Sequence, residues 1–207
     1  MIMADSKKKV KKTAVKKTSK KKKRKTTDTW KKKSWYTVVS PKDFESKEVG
    51  NTPAIKPELV IGRVIKVPLR EITGNISHQS ITMHFKVNEV KGTTAYTETN
   101  GFEMVREHFR RNVRRGRSMV TAIHYVKTKD KKKAQVTAHL FTLGRINTER
   151  KDVIRKVMEE TLEETAKGVS LSDLVKKAAF GELGAEMKKK AKVFCPVKMA
   201  IVSKVEV

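Results

Sequence analysis

The sequence predicts an α+β fold: a mostly antiparallel sheet or partly closed barrel with packed helices, preceded by a disordered Lys-rich N-terminal arm. Three observations predict it. A leading run is almost wholly Lys, Arg, Ser and Thr, later segments alternate apolar and polar residues, and others space apolar residues at helical intervals. The period of two belongs to a strand with one buried face, and the spacing of three and four to one face of a helix.

The leading run, Lys7 to Lys33, carries only Asp5 and Asp28 around it as opposing charges. It has too little apolar surface to offset the entropy of ordering, so residues 1–29 are expected to be disordered in isolation. The domain is expected to start at Trp30, since Trp30, Trp35, Tyr36, Val38 and Val39 bring the first large apolar groups. Trp35 and Tyr36 are expected to anchor the arm to the core, leaving Trp30 as a candidate for stacking on a base. Pro41, Gly50, Asn51, Pro53 and Pro57 then mark an extended, turn-rich connection without a long element.

Leu59 to Val67 is β-branched and apolar around Gly62-Arg63, and Pro68 ends any ladder, so a strand is expected there. Ile81, Met83, Phe85 and Val87 alternate with Thr82, His84 and Lys86, the mark of a second strand. Thr93 to Thr99 follows the Lys91-Gly92 turn and is expected to pair back as a hairpin. After Asn100-Gly101 the period changes: Phe102, Val105, Phe109 and Val113 fall at helical spacing, and Gly116 supplies a stop. Ser118 to Val126 and Ala134 to Leu143 read as two strands around a basic tip, Lys127 to Lys133.

Asp152 to Lys167 reads as a helix with Val153, Ile154, Val157, Met158 and Leu162 along one side and Gly168 at its end. Ser170-Leu171-Ser172-Asp173 has the shape of a capping box opening a short helix through Ala178. Another helical segment near Glu182 to Lys190 precedes a closing strand, Val197 to Val207, which is expected to join the sheet through a long-range pairing.

Charge narrows the function more than the fold does. The 207 residues hold 49 Lys and Arg against 22 Asp and Glu, a formal charge of +27. Such a surplus repels itself unless a polyanion neutralises it, and each neutralised phosphate of a nucleic acid releases counterions whose entropy drives binding. Residues 30–207 therefore read as a single α+β RNA-binding domain behind the basic arm. The main physical rival is an anionic membrane surface. No apolar stretch is long enough to span a bilayer. The charged start lacks an apolar segment behind it, and the expectation is a chain that neither spans a membrane nor is exported.

Enzyme signatures are missing: no Gly-rich phosphate loop followed by Lys-Ser or Lys-Thr, no strand-linked Gly-x-Gly-x-x-Gly and no nucleophile elbow. The histidines His78, His84, His108, His124 and His139 never occur at metal-ligand spacing, and the single Cys195 cannot complete a zinc site. His84, His124 and His139 are expected as outward-facing or satisfied strand residues, and Cys195 as a packing residue. Glu159-Glu160 and Glu163-Glu164 are expected to form a solvated helical face or to dock a basic neighbour. No catalytic residue, cofactor, metal or small-molecule substrate is expected.

The arginines are the most informative local feature. Arg offers a planar fork that matches phosphate bidentately and stacks on unpaired bases, which Lys does not. Arg106, Arg110, Arg111, Arg114, Arg115 and Arg117 are therefore the leading candidates for RNA contact, unless they pair with the nearby glutamates. The arm adds Lys20, Lys21, Lys22, Lys23, Arg24 and Lys25, then Trp30, Lys31, Lys32 and Lys33, and the hairpin tip adds Lys131, Lys132 and Lys133.

Short signatures along the chain also resemble a known family. Lys32-Lys33-Ser34-Trp35-Tyr36 followed by Pro41, Phe44 and Val49-Gly50-Asn51-Thr52 is similar to the opening of the S3Ae family of archaeal and eukaryotic small-subunit ribosomal proteins. Gly62-Arg63-Val64, Phe85-Lys86-Val87, Thr128-Lys129-Asp130 and Cys195-Pro196-Val197 resemble it in the same order. The resemblance covers everything after the Lys-rich run. It implies a cytoplasmic protein held in the ribosome, on the platform side of the small subunit near the messenger exit. Small-subunit ribosomal RNA and neighbouring small-subunit proteins would be its partners, with messenger RNA a further candidate. The Lys-rich start, and an end at Val207 where eukaryotic members continue, resemble the archaeal type. A free nucleic-acid chaperone or DNA-compacting protein is the alternative reading.

Overall fold

The structure, a computed structural model, describes residues 30–207. The expected arm, residues 1–29, lies outside them. The chain falls into two units, Met1–Lys32 and Lys33–Val207. Of the first unit the described part is one 3-10 turn, Trp30–Lys32, with Trp30 exposed.

The second unit holds eight strands: β1 (Ser34–Val39), β2 (Glu48–Ala54), β3 (Val64–Pro68), β4 (Ile81–Lys91), β5 (Thr94–Met104), β6 (Met119–Lys127), β7 (Lys133–Thr142) and β8 (Val197–Glu206). Its helices are α1 (Leu69–Thr73), α2 (Arg106–Arg110), α3 (Thr148–Lys167), α4 (Leu171–Ala179) and α5 (Glu182–Ala191). All strands form one sheet in the order β2-β1-β5-β8-β7-β6, with β4 on the other edge of β5 and β3 beyond β4. Every pairing is antiparallel except β1 with β5. Strands β2, β3 and β6 each pair on one side only, so the sheet stays open.

Strand β5 is the joint of the sheet. Its first residues, Thr94 to Tyr96, pair with β1, and its last, Gly101 to Glu103, pair with β8. The closing strand thus lies between β5 and β7, the long-range pairing expected of it.

Helices α3, α4 and α5 lie on β6, β5 and β8 and cover one face. The core between them holds Phe85, Phe102, Val136, Leu140, Ile154, Met158, Leu162, Leu174, Leu183 and Met187, all essentially without exposure. Each such side chain contributes about 1.5–3 kcal/mol on burial. A smaller cluster, Tyr36, Val38, Ala54, Val60, Val87 and Ala95, lies under β1 and β2. The buried stripe of α3 runs Ile154, Met158, Leu162 and Ala166, four residues apart, so Val153 falls off it and is exposed. The Ser170 cap is present as expected, its Oγ accepting from the Asp173 backbone N–H at 3.3 Å.

Several elements differ from the sequence reading. Ser34–Val39 is a strand where only the start of the domain was expected, and α3 begins at Thr148, ahead of Asp152. The Pro41 to Pro57 stretch contains β2, because an edge strand tolerates Pro53 without losing a needed donor. Strand β3 starts at Val64 rather than Leu59, since Pro57–Leu59 forms a 3-10 turn before it. The short helix α1 follows Pro68 directly.

The largest correction concerns Phe102 to Val113, expected as one helix with four buried apolar residues. Strand β5 instead runs on to Met104, and α2 is a single short helix. Phe102 is buried on the strand, Phe109 is half-buried, and Val105 and Val113 are exposed. Asn100-Gly101 is no turn: Gly101, at φ +148, lies so close to β8 that a Cβ would stand 2.0 Å from the Val205 carbonyl oxygen. Glycine is there for close approach between strands, and Phe102 with Met104 fits a period of two as well as Phe102 with Val105 fits a helix.

Candidate nucleic-acid interface

After β5 the chain leaves the sheet at Val105, whose N–H donates to the Ser80 carbonyl at 2.8 Å. One helical turn and a series of turns, Asn112 onto Phe109, Val113 onto Arg110 and Arg117 onto Arg114, bring it back to β6. Two side chains fix this ribbon to the sheet. Phe109 stacks on His139 with ring centres 5.0 Å apart. Asn112 accepts from Lys198 Nζ at 3.2 Å and donates to the His108 carbonyl at 3.4 Å.

With Phe109 and Asn112 turned inward, Arg106, Arg110, Arg111, Arg114 and Arg115 are exposed. Arg117 is half-buried, and one of its guanidinium nitrogens lacks a hydrogen-bond partner. None of the six forms an ion pair among the described residues. Two of the four glutamates that were their alternative partners are engaged elsewhere: Glu163 with His124 at 2.9 Å and Lys167 at 3.4 Å, and Glu164 with Lys190. Donation from His124, then from Lys167, holds the Glu163 carboxyl below its usual range. The acidic face therefore docks α5 and β6.

Three clefts run along the ribbon. One of about 390 Å³ lies between the 3-10 turn Ile76–Ser80 and α2, with His108 and Arg111 on its wall. A second, about 330 Å³, shares His108 and Arg111 and adds Asn112, Arg114 and Lys198. A third, about 220 Å³, shares Val105 with the first and adds Lys66, His84, Glu103 and Arg106. Shared walls make one continuous rim of cations, Lys66, Arg106, Arg111, Arg114 and Lys198. Planar forks spaced along such a rim suit the phosphates of a nucleic-acid backbone.

The hairpin tip is elsewhere. Strand β6 separates it from the ribbon by nine residues, about 26 Å at strand rise. The tip is docked on α4, Asp130 accepting from the Leu171 N–H at 3.0 Å and the Lys129 N–H donating to Val169. Lys131, Lys132 and Lys133 are exposed there, with Lys132 3.4 Å from Glu98. Lys31 and Lys32 are exposed on their own turn, and Lys33 is half-buried at the start of the second unit. Lys20, Lys21, Lys22, Lys23, Arg24 and Lys25 lie outside the described residues. Of the two aromatics expected at the root of the arm, only Tyr36 enters the core. On β1 the Trp35 side chain is on the face opposite Tyr36, so Tyr36 is buried and Trp35 is 59% exposed.

Sequence reasoning missed Lys66 and Lys198. Each is a single residue that only the topology brings to the rim.

Cys195 is buried, and burial raises its thiol above the usual range, the opposite of activation. No group of three His, Cys, Asp or Glu able to hold a metal occurs among the described residues, and no described helix is long and apolar enough to cross a membrane. His139 is buried against Thr121 Oγ1 at 3.0 Å, and burial pushes its imidazole down; His84 is lowered by burial, then by Lys66, against the opposing pull of Glu103. The unfolded chain binds protons at histidine near pH 6.5, while these two resist protonation in the fold. Stability is therefore expected to fall as pH drops from about 7 towards 5, and His139→Gln should flatten that slope in melting curves across the window. A slope unaltered by the substitution would count against it.

The model of the Ribosomal S3Ae family matches residues 21–207. The chain is 37% identical over 180 residues to the small ribosomal subunit protein eS1 of Methanobrevibacter smithii, covering 87% of this chain and 93% of that one. It is 42% identical over 155 residues to eS1 of Aeropyrum pernix, covering 75% and 72%. With eS1 of Methanopyrus kandleri it shares 35% identity over 184 residues, 87% of each.

Proposed function

This chain belongs to the Ribosomal S3Ae family, and on that premise we propose that it is a structural, RNA-binding constituent of the small ribosomal subunit rather than an enzyme. The relatives' names supply the subunit; the rim supplies the contact. Five exposed arginines without ion pairs, on a ribbon fixed by Phe109 and Asn112, are the observation that carries this reading. Solvated guanidinium groups held on a rigid support meet ribosomal RNA without first breaking internal pairs. The shape of the RNA, rather than its sequence, then decides where they sit.

The finer placement belongs to the same proposal: the platform near the messenger exit, in the cytoplasmic ribosome, beside neighbouring small-subunit proteins and with messenger RNA within reach. Residues 1–29 act as a basic arm that orders along RNA, and residues 30–207 as the domain that fixes its root. Two measurements test this reading. The protein should sediment with small subunits at low and at moderate salt, and should protect a fixed set of ribosomal nucleotides from cleavage. Release at moderate salt with diffuse protection would favour a free chaperone.

A further inference from the structure

The hairpin β6–β7 carries a surface that neither the fold nor the arginine rim accounts for. Val120, Ala122 and Val126 of β6 are buried against the helices, so the residues between them face the other side of the sheet. On that side Ile123 is 54% and Tyr125 70% exposed. Two residues beyond Tyr125, on the same face, Lys127 stands directly opposite Lys133. Like charges directly across a ladder are destabilising. Lys127, Lys129, Lys131 and Lys133 form no ion pair among the described residues; Asp130 is turned towards the start of α4, and Glu206, beside Gln135 on the same face, pairs with Lys204. Gln135 stands opposite Tyr125 and Thr137 opposite Ile123, and neither covers the tyrosine ring, which is exposed.

We infer that Ile123, Tyr125, Lys127 and Lys133 form a platform for unpaired nucleotides of RNA, with a base stacked on Tyr125 and the adjoining phosphates held between the two lysines. An exposed ring beside unneutralised cations is the combination that binds single strands, because every base has a face to stack and every phosphate a charge to pair. A duplex hides its bases and can use only the lysines. The platform rests on the RNA-binding reading above, but lies at the far end of β6 from the arginine rim, so the two can fail separately.

The test uses the full chain, a short oligoadenylate and an RNA duplex of equal length. Tyr125→Ala and Tyr125→Leu should each weaken oligoadenylate binding by roughly tenfold, the effect expected for removing one stacked base. Duplex binding should not change, and Tyr125→Phe should bind as the parent does. Changing Lys127 and Lys133 together to Ser should lower the log–log salt slope for oligoadenylate by roughly 0.7 for each phosphate released. Unchanged oligoadenylate binding by both Tyr125→Ala and Tyr125→Leu overturns the inference. That result would leave the lysines guarding an open sheet edge, or Tyr125 against a neighbouring protein. Proportionate weakening for oligoadenylate and duplex also overturns it, since charge alone would then explain binding. Weakening confined to the Arg111, Arg114 and Arg115 variant, with Tyr125→Ala intact, would remove the platform and keep the proposed function.

Discussion

Replacing Arg111, Arg114 and Arg115 with Glu is expected to leave the melting temperature nearly unchanged while cutting affinity for ribosomal RNA by tenfold or more. All three are exposed and make no ion pair, and surface substitutions of this kind usually stay within about 0.5 kcal/mol. The ribbon is held by Phe109 on His139 and by Asn112 on Lys198, neither of which is altered. Hydrogen bonds to charged groups are worth about 1.5–3 kcal/mol, so removing even one that reaches a phosphate gives roughly tenfold. The log–log salt slope should also flatten by roughly 0.7–0.9 for each phosphate no longer neutralised. Titrations at several salt concentrations measure both quantities. Parent affinity with the parent slope would show that the rim does not meet RNA.

The second large effect is expected at Gly101. Alanine there would place a Cβ 2.0 Å from the Val205 carbonyl oxygen, a backbone atom that cannot rotate away. Relief requires moving β8 off β5, at the point where the sheet depends on their pairing. Overpacking of this kind costs about 1–3 kcal/mol, and the positive φ adds about 1–2 kcal/mol for any residue with a Cβ. Gly92 provides the control. It also has a positive φ, +61, but open space where a Cβ would stand. Gly92→Ala should therefore cost only a left-handed backbone term, and Gly101→Ala should cost more in denaturant unfolding because it adds the clash with β8 to a backbone conformation still less open to a residue with a Cβ. Equal destabilisation would show that β8 gives way freely.

Local physics explains which elements are legible in the sequence. The β4–β5 and β6–β7 hairpins can be read because alternation and turn residues are written within a few positions of each other. The α4 cap is readable for the same reason, Ser170 and Asp173 being three residues apart. The course of Phe102 to Val113 is not, because its cause is the approach of Val205, which lies far along the chain on the closing strand. Nor is β2, whose proline is tolerated because no strand lies beyond it. The same distinction holds for the interface. The arginines are plain as residues, but their rigid support, and the arrival of Lys66 and Lys198 beside them, depend on where the sheet carries distant strands. Tyr125 reads in sequence as one polar aromatic in a strand, since its meaning comes from the side of the sheet on which it stands.

The position of β8 bears on how the chain acquires its structure. It follows every other element in sequence, yet it fills the slot between β5 and β7. Until it arrives, β1 to β5 form one hairpin-rich sheet, while β6 and β7 form another with no strand to join them. The helices have only half a surface each to settle on. Sequence separation this long slows folding, because loop closure must be achieved before the contacts reward it. The two halves should therefore exist as partly formed bodies during synthesis, with Phe102 and Leu140 uncovered. The arriving strand would lock sheet, helices and arginine ribbon together in one late cooperative step.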